Sequence, residues 1–257
     1  MITRRDDAPA IRVRDLTVRY GSVTALHDVS LNLEFGQVAG LIGMNGSGKS
    51  TLFKSIMGQL PTVSGEVSIA AGDAGIAYVP QSEAVDWNFP LSVEQVVMTG
   101  RYGHMNILRR PSSADHEAVA HALERTQLTD LRDRQIGQLS GGQRKRVFVA
   151  RGLAQQARIM LLDEPFAGVD AVSEATISRL LRELANDGRL VFISTHDLAA
   201  VPRLCDTVTM LNRTIIAQGD PRTVMDNDTL IRTFGSDPTR AAAPETPQEA
   251  PHVDMAD

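Results

Sequence analysis

Cysteine is almost absent from this sequence, since Cys205 is its single representative among 257 residues. One thiol cannot form an internal disulfide, so a fold held together by disulfides is excluded. Such a shortage is typical of proteins in a reducing compartment. We predict that Cys205 is a small buried apolar residue rather than a reactive thiol.

Long apolar runs are missing as well. No segment approaches the roughly 18 consecutive apolar residues that a membrane-spanning helix requires. Residues 1–13 include Arg4, Arg5, Asp6 and Asp7 and contain no apolar core of the length found in signal peptides. The sequence therefore predicts a cytoplasmic protein that reaches a membrane only through a partner.

An excess of positive charge is also missing, because 26 Lys and Arg stand against 31 Asp and Glu, for a net charge of -5. Four of the acids, Glu245, Glu249, Asp254 and Asp257, lie in a terminal stretch that has no Lys or Arg. In the rest of the chain the two signs nearly balance. No basic surface is indicated, and we expect no nucleic-acid partner.

The most informative segment that is present is a glycine-rich loop at residues 43–50, which fits the pattern Gly-x-x-x-x-Gly-Lys-Ser. An apolar strand-like segment at 38–42 precedes it, and a helical pattern at 51–57 follows. Glycines let backbone N–H groups curl around phosphate oxygens, and the helix start adds its positive dipole end. We predict that Lys49 reaches the β- and γ-phosphates and that Ser50 lies on Mg²⁺. The predicted nucleotide-binding residues of this segment are Gly43, Met44, Asn45, Gly46, Ser47, Gly48, Lys49, Ser50 and Thr51.

Two carboxylates follow a second apolar strand-like segment at 159–162. Asp163, at the strand tip, is placed to hold a metal ion or its waters. Glu164, one residue further, is placed to polarise a water for in-line attack on a γ-phosphate. A carboxylate pair and a phosphate-binding loop in one chain indicate Mg²⁺-dependent phosphoryl transfer, because each supplies what the other lacks.

The apolar patterns indicate an α/β protein with an inserted helical part. Alternation within 11–20 predicts antiparallel strands before a Gly21-Ser22 turn, and a second β-like stretch runs from 65 to 79. Between about 86 and 155 helical periodicity takes over. We predict a short N-terminal extension (1–9), one domain (10–235) and a disordered Pro- and Glu-rich tail (236–257). Further candidate elements are helices at 93–99, 115–126, 141–154 and 171–186 and a strand at 190–194.

A third short segment, at residues 139–143, reads Leu-Ser-Gly-Gly-Gln. Ser140 suits a helix N-cap, and Gln143 three residues later completes a capping box. The segment precedes Arg144, Lys145 and Arg146 and lies twenty residues before the acidic pair, a combination much rarer than a capped helix alone.

Together these segments resemble those of the ATP-binding cassette family over roughly residues 10–225. The resemblance implies an α/β fold with a P-loop NTPase (RecA-like) core, an antiparallel β subdomain and an inserted α-helical subdomain. It implies that the segment at 139–143 is the family's signature and acts on ATP held by a second copy. The family's remaining functional positions match Tyr20 (stacking on adenine), Gln81 (touching Mg²⁺ with Ser50 and Asp163), Asp170 (the loop after the acidic pair) and His196 (the switch histidine).

By this resemblance the catalytic residues are Glu164, His196 and Lys49, the cofactors are ATP and Mg²⁺, and the working unit is a homodimer. The signature residues are Leu139, Ser140, Gly141, Gly142 and Gln143.

Three segments, at 81–90, 100–105 and 134–138, are similar to those of the ATPases of bacterial manganese, zinc and iron importers. Such a subunit lies on the inner face of the cell membrane, bound to an integral membrane permease and served indirectly by an extracytoplasmic metal-binding protein. Val85, Trp87, Phe89 and Pro90 form an apolar cluster that is either a local core or the permease contact. The alternative is a soluble cassette ATPase that acts as an assembly or regulatory factor without a permease.

Overall fold

The computed structural model describes residues 8–71, 75–81 and 90–235. The predicted tail at 236–257, residues 1–7 of the predicted extension and the cluster residues Val85, Trp87 and Phe89 lie outside these ranges. Within them, no helix has the combination of length and apolar character needed to cross a bilayer. The strands are β1 (Ile11–Tyr20), β2 (Val23–Leu33), β3 (Val38–Ile42), β4 (Ser64–Ile69), β5 (Ile76–Val79), β6 (Ile159–Asp163), β7 (Leu190–Thr195), β8 (Thr207–Asn212) and β9 (Thr214–Gly219). The helices are α1 (Lys49–Ile56), α2 (Val93–Met98), α3 (Ser113–Arg125), α4 (Gly141–Ala154), α5 (Ala171–Asn186), α6 (Val201–Leu204), α7 (Pro221–Val224) and α8 (Asn227–Phe234).

In the described part of the chain, six strands form a central sheet in the order β5-β6-β7-β3-β8-β9. Its strands are parallel except for β9, which pairs antiparallel with β8. Every residue of β3, β6 and β7 is buried. Continuous apolar segments are typical of parallel strands that are covered on both faces, and this explains the apolar runs in the sequence.

The two faces of the central sheet bury different cores, because successive side chains of a strand point to opposite faces. In β7, Val191 and Ile193 belong to one core, whereas Leu190 and Phe192 belong to the other. The first core includes residues of α2 to α6, and the second includes residues of α1, β1 and β2. The sheet is therefore enclosed between a helical layer and a layer made of α1 and the second sheet.

That second sheet is antiparallel, with the order β2-β1-β4. The sequence predicts one continuing β-like stretch from 65 to 79, but its two strands join different sheets. β4 pairs with β1, whereas β5 pairs with β6 at the edge of the central sheet. The physical reason is burial, because most of β4 is exposed while alternate residues of β5 are buried on the helical layer.

Helices α2, α3 and α4 occupy the described residues between β5 and β6. A buried ion pair fixes their ends, with Arg101 Nε 2.8 Å from Asp115 Oδ1. Arg101 Nη1 also donates to the carbonyl of Ala154, at the end of α4, and to Gln156 Oε1. Because α2, α3 and α4 meet at one guanidinium, the insertion is a packed unit rather than a loose excursion of the chain.

Candidate nucleotide-binding site

Three parallel strands of the central sheet end at one edge. β3 leads into the glycine-rich loop, β6 ends at Asp163, and β7 ends at Thr195, which is followed by His196. β7 lies between β6 and β3. Open α/β sheets bind ligands outside the carboxyl ends of their strands, so this edge is the candidate site.

The start of α1 presents an uncompensated positive helix end to the loop. Its N-cap is Gly48, in the left-handed conformation with a φ of 105°, and no side chain caps the helix. The first turn contains no acidic residue. The first N–H groups of a helix lack partners within it, and here neither a cap nor a carboxylate offsets them. This arrangement suits an anion such as a phosphate group.

Two positions of the loop leave no space for a side chain. A Cβ on Gly43 would lie 2.3 Å from the carbonyl oxygen of Leu211 and 2.4 Å from Ser47 Oγ. A Cβ on Gly48 would lie 2.6 Å from Leu26 Cδ2, in a backbone conformation that side chains rarely adopt. These two glycines are therefore required by the close approach of the surrounding backbone and side chains.

Lys49 is buried and shapes the loop from within. Its Nζ donates hydrogen bonds to the carbonyl oxygens of Gly43, at 2.7 Å, and Met44, at 3.1 Å. Burial lowers the pKa of Lys49, while the nearby carboxylates of Glu164 and Asp163 oppose that shift. The ammonium is thus held at the loop by carbonyl dipoles and lies close to the acidic pair.

Asp163 brings the end of β6 into contact with the glycine-rich loop. The Ser50 hydroxyl donates to Asp163 Oδ2 at 3.1 Å, and the Ser194 hydroxyl donates to Oδ1. Tyr78 donates to Oδ2 at 3.4 Å, and burial, with a contribution from Asp163, raises the pKa of Tyr78 to about 12. The carboxylate is therefore oriented on both oxygens, next to the hydroxyl that the sequence predicts for Mg²⁺.

Glu164 has an unusual backbone conformation, with a φ of 51°. Its N–H donates to the carbonyl oxygen and the hydroxyl of Ser194, at 3.2 Å and 3.0 Å, and its carbonyl accepts from Lys145 Nζ at 3.1 Å. Its carboxylate Oε2 lies 2.8 Å from His196 Nδ1. The Glu164 carbonyl also accepts from the Ala167 N–H at 3.2 Å. The backbone is therefore held by four hydrogen bonds, which explains how this left-handed conformation is maintained.

These groups surround a cavity of about 570 Å³. Gln81 is exposed and lines it together with the acidic pair and His196. Ser47 is buried and Tyr20, at the end of β1, is 48% exposed; neither is part of the cavity wall. The lining residues are Ala25, Gly43, Met44, Asn45, Gly46, Gly48, Lys49, Ser50, Thr51, Gln81, Asp163, Glu164, His196 and Phe234.

The segment at 139–143 lies elsewhere, since none of its residues lines this cavity. Ser140 caps α4 and forms the expected capping box, in which Gln143 N donates to Ser140 Oγ and Ser140 N donates to Gln143 Oε1. Gly142 is packed against the start of α5, where Asp170 is the N-cap and accepts from the Ser173 N–H at 2.9 Å. Ser140 and Gly141 are exposed at the helix start. Within one chain, this helix start is therefore separate from the nucleotide cavity.

Comparison with known proteins identifies the architecture. Residues 26–167 match the family model described as "ABC transporter". The chain is 51% identical over 235 residues to the chelated iron transport system membrane protein YfeB of Yersinia pestis, covering 88% of this chain and 79% of that protein. It is 49% identical over 236 residues to the manganese transport system ATP-binding protein MntA of Synechocystis (89% and 91% covered). It is 41% identical over 233 residues to the zinc transport system ATP-binding protein TroB of Treponema pallidum (89% and 88% covered).

The chain belongs to the ABC transporter family. Among solved structures, the ATP-binding cassette MJ1267 of an ABC transporter is similar with a TM-score of 0.77 and 27% identity, covering 88% of this chain and 98% of that one. These findings confirm the expected fold class, a P-loop NTPase core with an antiparallel β subdomain and a helical insertion. As an ABC transporter subunit the chain binds ATP and is an ATPase coupled to transport. ATPase subunits of ABC importers work as dimers with membrane permeases.

Two residues that line the cavity, Ala25 and Phe234, are not predicted by the sequence patterns, and Phe234 of α8 is the larger. Its signal is weak, because a lone aromatic near the end of a chain fits any amphipathic helix. Among the described residues, no group of three or more His, Cys, Asp or Glu is arranged to hold a metal ion by itself.

Proposed function

We propose that this chain is the ATP-hydrolysing subunit of an importer that takes up manganese, zinc or iron through a separate membrane permease. The relatives named above serve chelated iron, manganese and zinc transport systems, and this supports a divalent-metal cargo. The observation that best supports ATP hydrolysis is the arrangement of side chains in the cavity. One cavity contains the Glu164 carboxylate beside His196 and the Asp163 carboxylate beside Ser50, next to the glycine-rich loop.

In this proposal the glycine-rich loop and Lys49 bind the phosphates of ATP. Ser50, Asp163 and Gln81 offer hydroxyl, carboxylate and amide oxygen atoms, which are ligands that Mg²⁺ accepts. When bound, Mg²⁺ neutralises charge on the phosphate oxygens. The hydrogen bond of 3.1 Å between Ser50 and Asp163 supports this assignment, since it places two such oxygens side by side.

Glu164 is the proposed base. Its carboxylate is nearly buried and close to His196 Nδ1, so it is positioned rather than solvated. It orients a water molecule and accepts its proton as the water oxygen attacks the γ-phosphorus and the bond to the β–γ bridging oxygen breaks, giving ADP and phosphate. His196, whose side chain is 67% exposed, holds the Glu164 carboxylate and offers its ring to the γ-phosphate.

The proposed working unit is a homodimer with two composite sites. The exposed start of α4, carrying Ser140 and Gly141, does not line the chain's own cavity, and its proposed role is to contact ATP held by a second copy. Asp170, which caps the start of α5, supports the loop that follows the acidic pair. Tyr20, exposed at the end of β1, is the proposed adenine-stacking residue.

Two substitutions test these roles. Glu164→Gln preserves size and removes the base, so we expect ATP-driven dimerisation to remain while hydrolysis falls by roughly 100-fold or more. Ser140→Arg adds bulk and charge where the second copy closes, and we expect both dimerisation and hydrolysis to be lost. Size-exclusion chromatography with ATP measures dimerisation, and a phosphate-release assay measures hydrolysis.

Ser113→Arg, at the exposed start of α3, is the matched control for Ser140→Arg. Parent-rate hydrolysis by Glu164→Gln would remove it from catalysis, and normal activity of Ser140→Arg would contradict a composite site.

The proposed location is the cytoplasmic face of the membrane, bound to the permease, with an extracytoplasmic binding protein delivering the metal. The test is isotopic uptake of manganese, zinc and iron in cells lacking this chain, complemented with the parent sequence or with Glu164→Gln. We expect uptake of at least one metal to be lost, restored by the parent and not by the variant. Unchanged uptake of all three metals would overturn the importer assignment. If no integral membrane protein co-purifies with the chain, a soluble factor would be favoured.

A further inference from the structure

The cavity wall includes an aromatic residue, Phe234, from the far end of the described chain. Its lining is polar or glycine-rich except for the side chains of Ala25, Met44 and Phe234, and Phe234 is the aromatic member of the set. Met44 is 50% exposed, whereas Phe234 is partly buried and packs against the helical-layer core. Phe234 is therefore the better buried of the two large apolar residues at the cavity.

The helix that carries Phe234 is fixed at both ends. Asp226 Oδ1 caps α8 by accepting from the Thr229 N–H at 2.8 Å, and Thr233, fully buried, donates its hydroxyl to the Thr229 carbonyl. Gly235, in the left-handed conformation with a φ of 70°, ends the helix directly after Phe234. The position of Phe234 thus follows from the capping and burial of α8.

Helix α8 also belongs to the same structural unit as the glycine-rich loop. It contacts β8 and β9, and the turn between those strands supports the loop. The Arg213 N–H donates to the Ser47 carbonyl at 2.8 Å, and the Leu211 carbonyl occupies the space beside Gly43. The glycine-rich loop is therefore adjacent to the same two strands, β8 and β9, that α8 contacts.

We propose that Phe234 is a nucleotide-contacting residue, whose ring supplies apolar surface that loses water when ATP binds. The inference rests on the ATP binding described above and adds a contact from α8 to it. Ligand pockets combine a few placed polar groups with apolar and aromatic walls. Here the loop, Lys49 and Ser50 provide the polar groups, and Phe234 provides the aromatic wall.

The test uses the full chain and titration with a fluorescent ATP analogue in the presence of Mg²⁺. We expect Phe234→Ala to raise the Kd roughly 3- to 10-fold, the size expected for losing one aromatic contact. Phe234→Leu preserves much of the packing and should give an intermediate Kd. Ile231→Ala removes a 44% exposed side chain from the same helix and serves as the control.

Three outcomes separate the possibilities. Failure of the parent chain to bind the analogue overturns the proposed function itself. Parent binding with both Phe234 variants within twofold of Ile231→Ala overturns only the role of Phe234. A raised KM for ATP with a smaller change in kcat, in a Phe234→Leu variant whose thermal unfolding matches that of the parent, supports contact with the nucleotide over a merely structural effect.

Discussion

Gly142 is the position at which an added methyl group should have the clearest effect on the signature helix. A Cβ there would lie 2.5 Å from Ser173 Oγ and 2.7 Å from Asp170 Oδ2. The neighbouring residue offers a matched control, because a Cβ on Gly141 would approach only the carbonyl oxygen of Gly168, at 3.3 Å. Gly142→Ala and Gly141→Ala thus make the same chemical change in different surroundings.

The loss of stability in Gly142→Ala depends on how easily Asp170 and Ser173 can move away from the added Cβ. Asp170 and Ser173 are joined by two hydrogen bonds of 2.9 Å that cap α5, so neither side chain can swing away cheaply. Overpacking costs about 1–3 kcal/mol and losing a cap about 1 kcal/mol, while Gly→Ala in a helix returns about 0.4–1 kcal/mol. We expect Gly142→Ala to lower the free energy of unfolding by roughly 1–3 kcal/mol and Gly141→Ala to leave it within about 0.5 kcal/mol or raise it slightly.

Thermal unfolding of the two variants and the parent measures this difference. For a domain of this size about 1 kcal/mol corresponds to about 2–4 °C, so Gly142→Ala should melt roughly 2–12 °C below the parent. Its ATPase rate should also fall at temperatures where it is folded, because the start of α4 must shift away from α5. Equal melting temperatures for the two variants would refute the packing argument.

Three further predictions concern groups with defined surroundings. Gly43→Ala, whose Cβ would lie 2.3 Å from the Leu211 carbonyl, should abolish nucleotide binding in a titration, whereas Gly103→Ala, with open space around it, should not; binding by both would contradict the geometry. Hydrogen bonds from Ser112 and then Arg101 hold the pKa of Asp115 far below its usual range, so its contribution to stability is complete above about pH 4 and is lost as the pH falls further. Asp115→Asn should therefore cost roughly 1.5–3 kcal/mol at pH 7 in urea unfolding, with a deficit that shrinks below about pH 4; Glu117→Gln, on the exposed face of α3, is the control, and a pH-independent deficit would count against the ion pair. Burial raises the pKa of Cys205 to about 12, so the native protein should resist alkylation at pH 8 and react only after unfolding; rapid labelling of the native chain would exclude a buried thiol.

Much of the site was predictable from the sequence, because its parts are local. A strand, a glycine loop and a helix occupy adjacent residues, and the capping box of α4 is contained in four residues. Helices α4 and α5 begin and end where the patterns predict. Asp163 and Ser50 are 113 residues apart, yet they were expected to lie close together because the family resemblance assigns both to one Mg²⁺.

Other features depend on contacts that no local pattern records. The separation of β4 and β5 into two sheets is decided by which layer buries them. The left-handed backbone of Glu164 depends on Ser194 and Lys145, which come from another strand and another helix. Phe234 meets the cavity only because α8 packs on β8 and β9, elements that the sequence patterns did not predict. The assigned roles of the site residues and the domain boundaries stay predictions.

The hydrogen bond from Lys145 to the Glu164 carbonyl links α4 to the acidic pair, and this link has a consequence for the proposed dimer. Lys145 belongs to the helix whose start is proposed to contact the ATP of the opposite subunit, and Glu164 is proposed to serve the ATP of its own subunit. In the proposed homodimer, the Lys145 ammonium group would therefore join the helix that contacts one ATP to the proposed base of the other site. Closure at one site would then be coupled to the position of Glu164 at the other.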